Sequence, residues 1–156
     1  MENPSWGWGL SLIALTIAIH ATAVVMMTFM AISIRARLEN RGHAFWKLIA
    51  VLICAIVVVG LLLAVLHATE CVIWAVAYWW LGALDSFLDA LLYSVDSMST
   101  RGGSGLTLPR RWQMMGALES FNGMLLFGVS AAYIFAVMQI FWSMLASQVT
   151  TGKSRG

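Results

Sequence analysis

Charge is what this chain has least of. Of its 156 residues only 10% are Asp, Glu, Lys or Arg, while 61% are hydrophobic. No soluble domain of this size could hide that much apolar surface, so the chain belongs in a lipid bilayer. The net charge of +2 is too small to point to a nucleic-acid partner. There are two cysteines, Cys54 and Cys71. Their spacing of 17 residues makes neither a metal nor a redox motif, and they read as small apolar fillers. No Ser/His/Asp or Cys/His arrangement suggests nucleophilic catalysis, so no enzyme is expected. No paired Cys or Met-x-x-Met ladder faces the acids. Met26, Met27, Met30, Met114 and Met115 therefore read as packing, and no metal site or resident cofactor is expected. The head of the chain, "MENPSWGWG", lacks a basic region and a cleavage site. It reads as the start of a retained span rather than a signal peptide.

What is there is a series of long apolar runs. The first span is expected over 10–34, interrupted only by His20 and scattered Thr and Ser, with Trp6 and Trp8 placed for an aromatic belt. A short basic loop follows, "RARLENRGHAFWK". The second run is "LIAVLICAIVVVGLLLAVL", then His67 and Glu70, then "CVIWAVAYWWLGAL". As one helix over 46–81 it would be ~54 Å long. That exceeds a bilayer, and one long tilted helix is expected, with Trp79 and Trp80 near the outer interface. The third span is expected over 114–145.

Between the second and third spans lies "DSFLDALLYSVDSMST", too short and too polar to cross. Asp85, Asp89 and Asp96 follow one another at i, i+4 and i+11, near one helical face. A half-length helix before Gly-rich backbone reads as a re-entrant segment, which membranes tolerate only where it is buried in protein or lines water. Arg35, Arg37, Arg41, Lys47, Lys153 and Arg155 make six of the nine basic residues and fall in the first loop and the tail. By the positive-inside rule those parts face the cytoplasm. The N-terminus, the re-entrant segment and Arg110–Arg111 then face outward, and the outer mouth is acid-rich.

Ionisable residues inside spans are candidates for function. His67 and Glu70 share a helical face at i, i+3, and His20 sits near the middle of the first span. They are expected to make hydrogen bonds that pin span one against span two. Two functional readings stand beside that: a bis-histidine haem between the spans, and a proton-sensing His67–Glu70 pair.

Ala90 to Thr100, "ALLYSVDSMST", resembles the pore helix of simple bacterial potassium channels. The filter T-V-G-Y-G-D of that family then falls on Thr100, Arg101, Gly102, Gly103, Ser104 and Gly105. "NGMLLFGVSAA" (122–132) is similar to the family's inner helix, with Gly123 in the place of the hinge glycine. The resemblance implies an all-α membrane protein with three transmembrane helices, a re-entrant pore helix and a filter-like loop, assembled as a homotetramer. The divisions expected are 1–44 as an extra transmembrane helix and cytoplasmic loop, and 45–156 as a pore domain. Within the latter fall an outer helix at 45–82, a pore helix at 85–99, a loop at 100–106 and an inner helix at 112–148. The location implied is the bacterial inner membrane, with the C-terminus in the cytoplasm.

The loop departs from the family. The Tyr position holds Gly103, the second glycine is Ser104, which disfavours positive φ, and the closing Asp is Gly105. The resemblance therefore implies an ion channel that is weakly selective or not potassium-selective, passing a monovalent ion. A non-conducting sensor or accessory subunit is the alternative. In the family the Arg101 position points behind the filter, where a guanidinium needs a carboxylate. Asp96 is the expected partner and Glu119 the second candidate. The other possibilities are that Arg101 points into the pore or reaches outer water. Asp85 and Asp89 are expected in the outer vestibule.

Overall fold

In this computed structural model the described residues, 4–39, 45–102 and 104–153, form four α-helices and no strand. They are α1 (Pro4–Glu39), α2 (Phe45–Trp80), α3 (Phe87–Met98) and α4 (Gln113–Lys153). Three stretches are long and apolar enough to cross a membrane: Ser5–Leu38, Trp46–Trp80 and Gln113–Trp142. Their apolar residues run around the whole circumference, so Leu15, Phe29, Leu61 and Phe135 stay exposed outside a bilayer. The described residues are thus all-helical, with three helices whose length and composition are compatible with a multi-pass membrane protein.

The helices differ from the sequence reading mainly at their ends. α1 and α4 run beyond the apolar windows of 10–34 and 114–145, because helical hydrogen bonding does not stop where hydropathy does. α2 is one continuous helix past His67 and Glu70, as expected. α3 is shorter than 85–99 at both ends, and both ends have a chemical cause. At its start Ser86 has extended backbone and its side-chain oxygen accepts from the Asp89 amide at 3.0 Å, an N-cap. The Asp89 carboxylate in the first turn also complements the helix dipole.

The C-termini of α2 and α3 close with the same bond pattern. After α2, the Ala83 amide donates to the Tyr78 carbonyl and the Gly82 amide to the Trp79 carbonyl. After α3, the Arg101 amide donates to the Asp96 carbonyl and the Thr100 amide to the Ser97 carbonyl. Both are Schellman closures, which place one residue in the left-handed region. At α2 that residue is Gly82 (φ 62°) and at α3 it is Thr100 (φ 56°). A β-branched residue there is disfavoured by about 1–2 kcal/mol relative to right-handed backbone.

The chain divides into two compact units. The first comprises 1–21 and 64–129, and the second 22–63 and 130–156. The first unit holds α3, the loop after it and the adjoining parts of the long helices. Its core is built on Trp74, Ala75, Tyr78, Ala90, Met98, Met115 and Leu126. α3 contributes Ala90, Ser94 and Met98 to the buried side, one residue per turn. The second unit buries Ala31, Leu48, Val59, Leu63, Val137 and Phe141, and carries a half-open apolar pocket of about 220 Å³ lined in part by Met27, Cys54 and Leu62.

Candidate functional site: the loop after α3 and the buried polar groups of the first unit

The loop is organised by Asp96, whose side chain is 4% exposed. Its Oδ1 accepts from Arg101 Nε at 2.6 Å, and its Oδ2 accepts from the Ser104 amide at 2.7 Å. The Arg101 hydrogen bond first, and the Ser104 amide second, hold the Asp96 carboxyl below its usual range. Asp96 and Arg101 are therefore paired. Glu119 bonds elsewhere. The guanidinium is not buried behind the loop: the Arg101 side chain is 66% exposed and engages Asp96 through Nε.

Positive φ occurs at Thr100, Gly102 (62°) and Gly105 (70°), and not at Ser104. The strain expected at Ser104 falls instead on Thr100, because the helix closure reaches that residue first. Gly103 and the basic residues Arg41 and Arg155 lie outside the described residues. Behind the loop is a polar cavity of about 320 Å³ lined by Tyr93, Asp96, Ser97, Thr100, Gly102, Ser104, Leu106 and Ser120. It is large and polar enough to hold water. Asp85 is exposed and Asp89 half-buried, so the three aspartates do not share one environment.

α3 is fixed from below by a dense polar joint. Glu119 of α4 is fully buried. Tyr78 of α2 donates its hydroxyl to Glu119 Oε2 at 2.8 Å, and Ser94 of α3 donates to Oε1 at 2.5 Å. Ser94 Oγ also lies 2.9 Å from the Cys71 carbonyl, so one hydroxyl proton is offered two acceptors. Ser97 and Ser120 bond hydroxyl to hydroxyl at 2.9 Å. The Cys71 thiol points at the Met98 sulfur, 3.4 Å away. A Cβ on Gly123 would run into the Met98 carbonyl. Glycine at 123 is therefore required by close packing of α3 against α4, a reason separate from any hinge. Asn122 of α4 donates to Thr16 of α1 at 2.8 Å.

Comparisons with models of known families, with curated proteins and with solved structures gave no match.

The second cluster lies where α1 meets α2. His20 Nδ1 is 2.9 Å from Glu70 Oε1, and His67 Nδ1 is 3.1 Å from Glu70 Oε2. His20 and Glu70 are fully buried, and His67 is 14% exposed. The imidazole centroids are 5.3 Å apart, and His67 stacks on Phe127 at 4.4 Å. The pinning of span one to span two expected from the sequence is thus present, through a single carboxylate. Sequence reasoning missed Tyr78, Ser94, Ser97, Ser120, Asn122 and Thr16 as members of this polar interior. Asn122 alone carried a usable signal, an amide in an otherwise apolar run.

Proposed function

We propose that this chain is one subunit of a tetrameric, potassium-channel-like membrane pore with an altered filter, weakly selective or selective for an ion other than potassium. The observation that carries the reading is the unit made by α3 and its loop. A 12-residue capped helix, too short to cross, is anchored by Ser94 and Gly123 against two spanning helices and delivers backbone with left-handed residues at Thr100, Gly102 and Gly105. Carbonyls presented by such backbone can replace an ion's water when several copies meet around an axis. One chain supplies one such loop, which is why the reading needs an oligomer.

The Asp96 contacts to Arg101 and Ser104 support a loop braced by charge where an aromatic brace is missing. The polar cavity behind the loop supports a filter that is less tightly packed, and so less discriminating, than a potassium filter. A second reading, a channel-like subunit that does not conduct, is favoured by one observation: the exposed Arg101 side chain. Four such charges around an axis would oppose cations. A haem between His20 and His67 is disfavoured, because both rings face the same carboxylate and their centroids are 5.3 Å apart, leaving little room for a macrocycle.

Reconstitution of the purified protein into liposomes tests the reading. The expected result is flux of monovalent cations under an imposed gradient, with potassium and sodium passing at comparable rates. No flux of any ion from a correctly assembled tetramer would move the reading to the non-conducting subunit. A species smaller than a trimer by native mass spectrometry would remove the pore altogether.

A further inference from the structure

The geometry points to a zinc-class divalent metal site made by His20, His67 and Glu70, buried between α1 and α2. It goes beyond the pore reading and does not depend on conduction. The three side chains each offer a ligand atom, and these atoms all lie within 4.8 Å of one another. Two imidazoles and one carboxylate make the three-ligand set that zinc takes when it keeps a fourth position open. Imidazole nitrogen is a ligand common to the late first-row divalent ions.

One ligand atom of the cluster is left without a hydrogen bond. Glu70 Oε2 is fully buried and accepts no hydrogen bond, although His67 Nδ1 is only 3.1 Å from it. A buried carboxylate oxygen left without a donor is costly in a membrane interior. A cation between the three groups removes that cost. With metal–ligand bonds of about 2.0–2.2 Å, a tetrahedral ion sets adjacent ligand atoms about 3.4 Å apart. The two nitrogen–oxygen distances, 2.9 and 3.1 Å, are each within a few tenths of an ångström of that spacing, though they run to different oxygens of Glu70.

The surroundings agree with a held ion. His67 and Glu70 are one turn apart on a single helix, so their spacing is fixed by α2. The His67 ring is steadied by the stacked Phe127. His67 is the least buried of the three, at 14% exposed, so the fourth position would open on its side. A bound ion would clip α1 to α2 more firmly than the present contacts do.

The test uses the full-length protein in detergent, stripped with chelator and then titrated with zinc or with cobalt as a spectroscopic substitute. The expected result is one ion per chain, a cobalt spectrum with the intense visible bands of tetrahedral nitrogen and oxygen ligation, and zinc-edge absorption showing two imidazoles. His20→Ala, His67→Ala and Glu70→Gln should each weaken binding by about tenfold or more, as loss of metal-site groups does. His43→Ala should leave binding unchanged. If a histidine variant fails to fold, the imidazole count in the intact protein still decides. No stoichiometric ion in the intact protein, an absorption edge without two imidazoles, or binding lost with His43 rather than with His20 and His67 would each overturn the site.

Discussion

At the scale of single residues, Asp96 and Thr100 shape the loop. The Asp96 carboxyl is held below its ordinary value of 3.8 by Arg101 and the Ser104 amide. A carboxyl depressed in the folded state stabilises it fully above the ordinary value, and that contribution is lost as pH falls below it. Thermal unfolding in detergent at about pH 5 and about pH 3 should therefore show a loss of stability that Asp96→Asn lacks. Equal pH dependence in both proteins would contradict the brace. Thr100 is the other residue under load. Because it holds the left-handed position of a helix closure, Thr100→Gly should raise stability by about 1 kcal/mol. That gain can be read from the denaturation midpoint. An unchanged or lowered midpoint would mean that the Thr100 conformation is not what the bond pattern implies. Nothing in the sequence marks this position: threonine does not signal left-handed backbone as Gly82 does, so strain was assigned to Ser104 instead.

At the scale of elements, α3 is a short helix held at three points, and its sequence announces only some of them. The N-cap was not read from the sequence, although "SFLD" carries the Ser86 and Asp89 spacing that begins a helix. Ser86→Ala should lower stability by about 1 kcal/mol in chemical denaturation. The joint at Glu119 was not legible, because its partners Tyr78 and Ser94 are 41 and 25 residues away and meet it only through packing. Gly123 could be singled out by resemblance, but its packing reason, the Met98 carbonyl, could not. Gly123→Ala should destabilise by about 1–3 kcal/mol, because backbone must shift to admit the methyl group. Full stability in that variant would show that α3 does not dock so closely. For α2, the unbroken helix through His67 and Glu70 was legible, since apolar residues run on both sides of them. The convergence of His20 on the same carboxylate was not, because hydropathy does not set the register of two antiparallel helices to within an ångström.

At the scale of the whole molecule, the long apolar runs made three spans legible, since 61% hydrophobic composition in 156 residues admits little else. Resemblance to potassium channels supplied the tetramer and the pore, and those rest on the loop. The proposed assembly places four copies of the Thr100–Gly105 loop around one axis, with Asp96 behind each and an exposed Arg101 on each. Single-channel recording of purified protein in planar bilayers tests this most directly, comparing the unaltered chain with Arg101→Gln under a salt gradient. The expected result is discrete current steps in both, with a reversal potential shifted toward cation selectivity in Arg101→Gln. Steps with an identical reversal potential would contradict a loop at the permeation path, and silence from an intact tetramer in both would contradict a pore.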